Sequence, residues 1–145
     1  MSTQPIRYTV IGAGHGGKAM AAHLALMGFE VAFYNRTPEH VAAIKARGGV
    51  TLGSYEAGPH GFGQLACVTS NMEEALQDSD VVMVVVPASA HRSIARDAAS
   101  HLRDGQIVIL NPGRTLGALE FRKVLDDHGC TAEIIIAEAQ SFIYA

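Results

Sequence analysis

Ile6-Arg7-Tyr8-Thr9-Val10-Ile11 runs without a break into Gly12-Ala13-Gly14-His15-Gly16-Gly17, and an alanine-rich stretch with helical spacing follows. This is G-x-G-x-x-G between an apolar strand and a helix, the setting in which the pattern carries information. Gly12 permits the tight turn, Gly14 lets a pyrophosphate approach the backbone, and Gly17 lets the helix pack closely on the strand. The amides of the helix's first turn have no intrahelical partners and carry partial positive charge, so they face an anion. The expectation is a dinucleotide site at Gly12, Gly14, His15, Gly16 and Gly17. Two rival readings fare worse. Gly12 to Gly17-Lys18 also spells most of a P-loop, but that loop needs Ser or Thr next and here Ala19 follows. A bare turn without ligand would have no need to strip side chains from four positions, at a cost in conformational entropy.

Bulk properties bound the remaining possibilities. A chain of 145 residues with 48% hydrophobic content suffices for one domain that buries roughly two-thirds of its unfolded surface. Lys and Arg total 11 against 14 Asp and Glu, a net charge of −3, which offers no basic face for nucleic acid and no polybasic membrane anchor. The apolar run from Val81 to Ala88 is far shorter than the ~20 residues of a membrane helix. No cleavable leader precedes the first strand, so a cytoplasmic location is expected. Cys67 and Cys130 form no C-x-x-C pair and read as buried free thiols. The histidines at 15, 23, 40, 60, 91, 101 and 128 show neither H-E-x-x-H nor an i, i+4 pair, and no metal site is expected.

Strand-like and helical segments alternate, which implies parallel strands joined by crossover helices. Strands are read at 6–11, 30–34, 64–68, 81–86, 106–110 and 132–136. Val81 to Val86 is apolar on both faces, as a central strand covered on both sides must be, and should lie beside the first strand. The fold class is α/β, a doubly wound Rossmann sheet with helices on both faces. Helical stripes appear at Met20, Leu24 and Met27, at Val41 and Ile44, at Ile94, Ala98 and Leu102, and at Ala118, Phe121 and Leu125. Thr37-Pro38 reads as an N-cap with proline at the first helical position, Ser70-x-x-Glu73 as a capping box, and Gly48 and Gly129 as C-caps. Gly53 to Gly63, with four glycines and a proline, is a loop or loose hairpin. It reads as a surface excursion rather than a flap over the site.

Ligands of open parallel sheets bind at the carboxyl ends of the strands, so the residues just past each strand are site candidates. They are Gly12, Asn35-Arg36, Thr69-Ser70, Pro87, Asn111-Pro112-Gly113 and Glu138. Where NAD-binding folds place an acidic residue for the ribose 2′-hydroxyl, this chain has Asn35-Arg36-Thr37. A guanidinium can pair with a 2′-phosphate and lie flat on adenine, which favours NADP, with NAD as the alternative. Against this, Arg36 reads as a solvated residue and Thr37 as a helix cap. Pro87 offers backbone contact to a ribose, and Asn111 an amide at the nicotinamide end. His91 could carry a proton, but no carboxylate is available to orient it, so a polar surface or capping role is expected.

The chain resembles the opine dehydrogenases, the octopine/nopaline dehydrogenase family, along essentially its whole length. The resemblance rests on Val10 to Ala19 with Ala22 to Gly28 behind it, on Asp78 to Val81 leading through Val85-Val86-Pro87-Ala88, and on Leu110-Asn111-Pro112-Gly113-Arg114-Thr115 with Gly117-Ala118-Leu119-Glu120-Phe121. It implies a two-domain NAD(P)-dependent oxidoreductase that condenses an amino acid with a 2-oxo acid and reduces the imine by hydride transfer. Residues 1–145 would be its dinucleotide-binding domain. The helical domain bearing the catalytic histidine and the small-molecule substrate site would follow, so the resemblance brings no catalytic residue to this chain, which alone should be inactive. The apolar end at Ser141-Phe142-Ile143-Tyr144-Ala145 supports that expectation. Ketopantoate reductases and glycerol-3-phosphate dehydrogenases share the glycines, and a non-catalytic NAD(P) sensor is the reading from another class. The oligomeric state is left open, a homo-oligomer included.

Overall fold

The computed structural model describes residues 4–53 and 58–142. The elements run β1 (Arg7–Ile11), α1 (His15–Leu26), β2 (Glu30–Tyr34), α2 (Pro38–Arg47), β3 (Gly49–Leu52), β4 (Gly61–Gln64), β5 (Cys67–Thr69), α3 (Met72–Leu76), β6 (Val81–Val84), α4 (Ala88–Ala98), β7 (Ile107–Leu110), α5 (Gly117–Asp127) and β8 (Ile135–Glu138). Six strands form one sheet in the order β5-β2-β1-β6-β7-β8, every pairing parallel. The chain winds outward from β1 in one direction, then returns to β6 and winds in the other. The carboxyl ends of β1 and β6 therefore flank the crevice where open sheets take ligands.

The alternation of strand side chains divides the core in two. Val82 and Val84 face a cluster that includes Ile94, Leu110, Phe121 and Leu125. Val10, Val31 and Phe33 face the opposite cluster with Met20, Val41 and Ile44, against which Met83 and Val85 also pack. The central strand β6 is thus covered on both sides, beside β1, as its uninterrupted apolar run predicts.

Several boundaries differ from the sequence expectation for local physical reasons. The run read as one strand at 64–68 is divided between two sheets. Gly61–Gln64 pairs antiparallel with Gly49–Leu52, and only Cys67–Thr69 joins β2. The break lies at Leu65, whose N–H donates to the carbonyl of Gly48 and closes the base of the hairpin. The hairpin packs on α1, with Gly61 against Leu26 and Gly63 against Ala22. Gly61 thus lies at the carboxyl end of α1, away from Gly14; the loop read at Gly53 to Gly63 falls partly on residues 54–57, which lie outside the described residues. The last strand starts at Ile135 rather than 132, because Glu133 N–H is held by the Asp104 carboxylate at 2.8 Å. Met27 leaves the expected apolar stripe: it caps α1 and is 60% exposed, and Gly17, Met20 and Ala21 supply the buried face. The cap of α3 is Asn71, not Ser70, its side chain accepting from Glu74 N–H at 3.2 Å. Gly48 ends α2 in the left-handed conformation, as expected of a C-cap. Among the described residues no helix is long and apolar enough to cross a membrane, and no group of side chains is set to hold a metal.

Candidate functional site

The turn from β1 into α1 is fixed by backbone contact at two of its glycines and left open at the third. Gly12 has φ +123°, and a Cβ there would lie 2.1 Å from the carbonyl oxygen of Val85. A Cβ on Gly17 would lie 1.8 Å from the carbonyl oxygen of Gly12. Gly14, in contrast, is exposed and has nothing within 4 Å of where its Cβ would be. Its φ of −71° and ψ of 178° are open to any residue. The protein's own packing accounts for Gly12 and Gly17 but not for Gly14. Bare backbone at Gly14 makes sense if something outside the protein comes close.

The turn is tied to both neighbouring strands, since Gly12 N–H donates to Tyr34 and Val85 N–H to Ile11. Gly14 is the N-cap of α1, and neither a capping side chain nor an acidic residue serves the first turn. That turn keeps its partial positive charge. An open glycine and an uncapped helix start together fit a pyrophosphate. His15, the first helical residue, is exposed, whereas Gly16 makes room for the Phe142 ring, which would lie 2.7 Å from a Cβ there.

Beside the turn lies a cleft of about 530 Å³ that brings together Gly14, Gly16 and Gly17 with Pro87 and Asn111. Val85, Val86 and Phe142 give it apolar walls, and Arg114, Gln140 and Ser141 its remaining polar edge. His15 and the Asn35-Arg36-Thr37 segment stand outside this lining. The segment follows β2 directly, next to the Gly12 turn. Asn35 is spent locally, its Oδ1 accepting Thr37 N–H at 3.0 Å, and Thr37 is the N-cap of α2 with Pro38 behind it. Arg36 is exposed. Burial and the charge of Asp97 push the Tyr34 hydroxyl above the usual tyrosine range, with Arg36 pulling it down. Another hollow, of about 520 Å³, lies beside Arg7, Tyr8 and Glu30 at the amino ends of β1 and β2, the wrong end of the sheet for a ligand of this fold.

Asn111 is buried, its backbone N–H donating to Val84 and its Nδ2 to Ile109 at 2.8 Å; its peptide bond to Pro112 is cis. The strand-end carboxylate Glu138 has a structural task. Its Oε2 accepts the N–H of Ala118 at 2.7 Å, serving a helix whose N-cap, Leu116, offers no side-chain bond.

His91 corrects the expectation of a surface role. It is 1% exposed, and its Nε2 has no hydrogen-bond partner. Burial pulls its pKa below the ordinary histidine value, while Glu120, Glu138 and the Val86 backbone oppose that shift. The signal was in the spacing: His91, Ile94, Ala95 and Ala98 form the buried stripe of α4. Arg114 and Phe142 were not singled out, and for Phe142 no local pattern could have done so, because it meets Gly16 only through the fold.

The model of the family described as the NAD binding domain of 6-phosphogluconate dehydrogenase matches residues 7–116. Opine dehydrogenase from Arthrobacter sp. strain 1C is 41% identical over 137 residues, 94% of this chain and 37% of that protein. An NAD(P)+ glycerol-3-phosphate dehydrogenase from Enterococcus faecalis is 32% identical over 108 residues, 71% of this chain and 29% of that protein. Among solved structures, octopine dehydrogenase with NADH and L-arginine superposes with a TM-score of 0.83 over 97% of this chain and 36% of that one, at 20% identity. The chain thus spans between 29% and 37% of the length of these relatives. It is an NAD(P)-binding Rossmann domain and belongs to the family described as the NAD binding domain of 6-phosphogluconate dehydrogenase, with an opine dehydrogenase among its relatives.

Proposed function

We propose that this domain is the cofactor half of an opine-dehydrogenase-like oxidoreductase, which condenses the amino group of an amino acid with a 2-oxo acid and reduces the resulting imine. The observation that carries this reading is the 41% identity to opine dehydrogenase across 94% of the chain. The glycerol-3-phosphate dehydrogenase of Enterococcus faecalis is less similar over a shorter stretch.

The bare backbone at Gly14, with Gly12 and Gly17 fixing the turn, lets the first amides of α1 hold the pyrophosphate, with His15 and Gly16 beside it. Asn35, Arg36 and Thr37 serve the adenosine end. The Arg36 guanidinium pairs with a 2′-phosphate, so NADP is preferred over NAD. Pro87 contacts the ribose, and Asn111, held in place by Ile109 and Val84, orients the nicotinamide amide. Bound in its reduced form, the nicotinamide supplies the hydride. The side chains of Val85, Val86 and Phe142 exclude water from that end of the cleft. A second domain brings the acid–base group and the rest of the substrate site, and free Cys67 and Cys130 suit a cytoplasmic enzyme.

Two chimeras test the reading. Joined to the remainder of the Arthrobacter opine dehydrogenase, the domain should support oxidation of reduced cofactor that needs both an amino acid and a 2-oxo acid. Joined to the remainder of the Enterococcus glycerol-3-phosphate dehydrogenase, it should give no turnover. Activity in the second chimera alone would reverse the assignment.

A further inference from the structure

Arg114 is the one charged residue among the described residues that line the cleft. It enters from the β7–α5 wall, next to Asn111 and Pro112, and not from the glycine turn. The arginines of α4 and α5 are engaged: Arg92 with Glu120 at 2.9 Å, Arg96 with Asp97 at 3.0 Å, and Arg122 with the Ile134 carbonyl at 2.8 Å. Arg114 forms no ion pair among the described residues. The nearest strand-end carboxylate, Glu138, is occupied by Ala118 N–H. The backbone of Arg114 has φ +60°, a conformation that side-chain-bearing residues seldom adopt, on a segment that begins with buried Asn111 and is covered by Glu138.

We propose that Arg114 anchors the carboxylate of the small-molecule substrate, a 2-oxo acid, against the cofactor cleft beside Asn111. The pyrophosphate is already served by the first turn of α1, and a 2′-phosphate by Arg36 on the far side of β1. An unpaired guanidinium on the third wall is therefore left for an anion other than the cofactor. Its planar fork matches a carboxylate bidentately, which a lysine would not do. The 2-oxo acid rests on the proposed opine reading, but the anchoring itself requires only a carboxylate.

The test is titration of the 145-residue chain with pyruvate and with its neutral isostere pyruvamide, with and without NADH, followed through the backbone amide resonances of Gly113 and Arg114. Pyruvate should bind the NADH-loaded chain and shift both amides, and pyruvamide should bind at least about tenfold more weakly. Arg114→Gln should weaken pyruvate by about ten- to a hundredfold and leave pyruvamide and NADH unchanged, with Arg114→Lys in between. Equal pyruvate affinity in Arg114→Gln, equal affinity of the wild type for the two compounds, or no pyruvate binding at all would overturn the proposal. A carboxylate held by Arg114, in a domain whose opine chimera reduces a 2-oxo acid without any amino acid, would keep the anchor and remove the opine reading.

Discussion

The backbone of Gly17 touches that of Gly12 so closely that a Cβ on Gly17 would stand 1.8 Å from the Gly12 carbonyl oxygen. The start of α1 is thereby docked on the end of β1, and the contact belongs to the fold whether or not a nucleotide is bound. Gly17→Ala must push the helix away from the turn, which should lower stability by at least about 2 kcal/mol. Urea unfolding followed by circular dichroism reads the midpoint directly. A wild-type midpoint would mean that the helix can slide without cost.

Arg36 is predicted to select between the two dinucleotides. Losing a charge-assisted pair to the 2′-phosphate should cost about 1.5–3 kcal/mol, or one to two decades in affinity. Arg36→Ala should therefore weaken NADPH by that factor and NADH far less. Equal losses, measured by calorimetry with both nucleotides, would show that the residue only stacks on adenine or supports the turn.

His91 makes stability fall on the acid side of neutrality. Burial holds its folded pKa below the ordinary value, so the unfolded chain binds the extra proton first. The stabilising contribution is complete above the unfolded value of about 6.5 and is lost as pH falls through the depressed folded value. Urea midpoints compared at neutral and mildly acidic pH should drop more steeply in the wild type than in His91→Leu. Parallel slopes would assign the acid sensitivity to other groups.

Much of this architecture could be read in the sequence. The glycine turn, the doubly apolar run at Val81 and the βα rhythm each follow from short-range demands, namely a turn without side chains, burial on both faces and crossover length. What escaped depends on long-range packing. Leu65 and Val68 look like one strand, but the Leu65 N–H turns to Gly48 and divides the run between two sheets. Ser70 and Asn71 are equally good caps on paper; the choice falls to Asn71, whose own N–H is held by the Thr69 hydroxyl at 3.0 Å. In the candidate site, Gly12 and Gly17 were legible because backbone geometry demands them, and Gly14 because its place in the G-x-G-x-x-G spacing marks it. Arg114 and Phe142 reach the cleft from the last third of the chain, and only the fold brings them to the glycines.

The most direct measurement of the central claim is calorimetric titration of NADPH and NADH into Gly14→Val. The position has room for a side chain and an ordinary φ of −71°, so the variant should unfold at the wild-type midpoint. The added methyl groups would stand where the pyrophosphate must meet the first amides of α1, so both affinities should fall below detection. A folded Gly14→Val that binds either nucleotide as tightly as the wild type would contradict the assignment of this turn as the cofactor site.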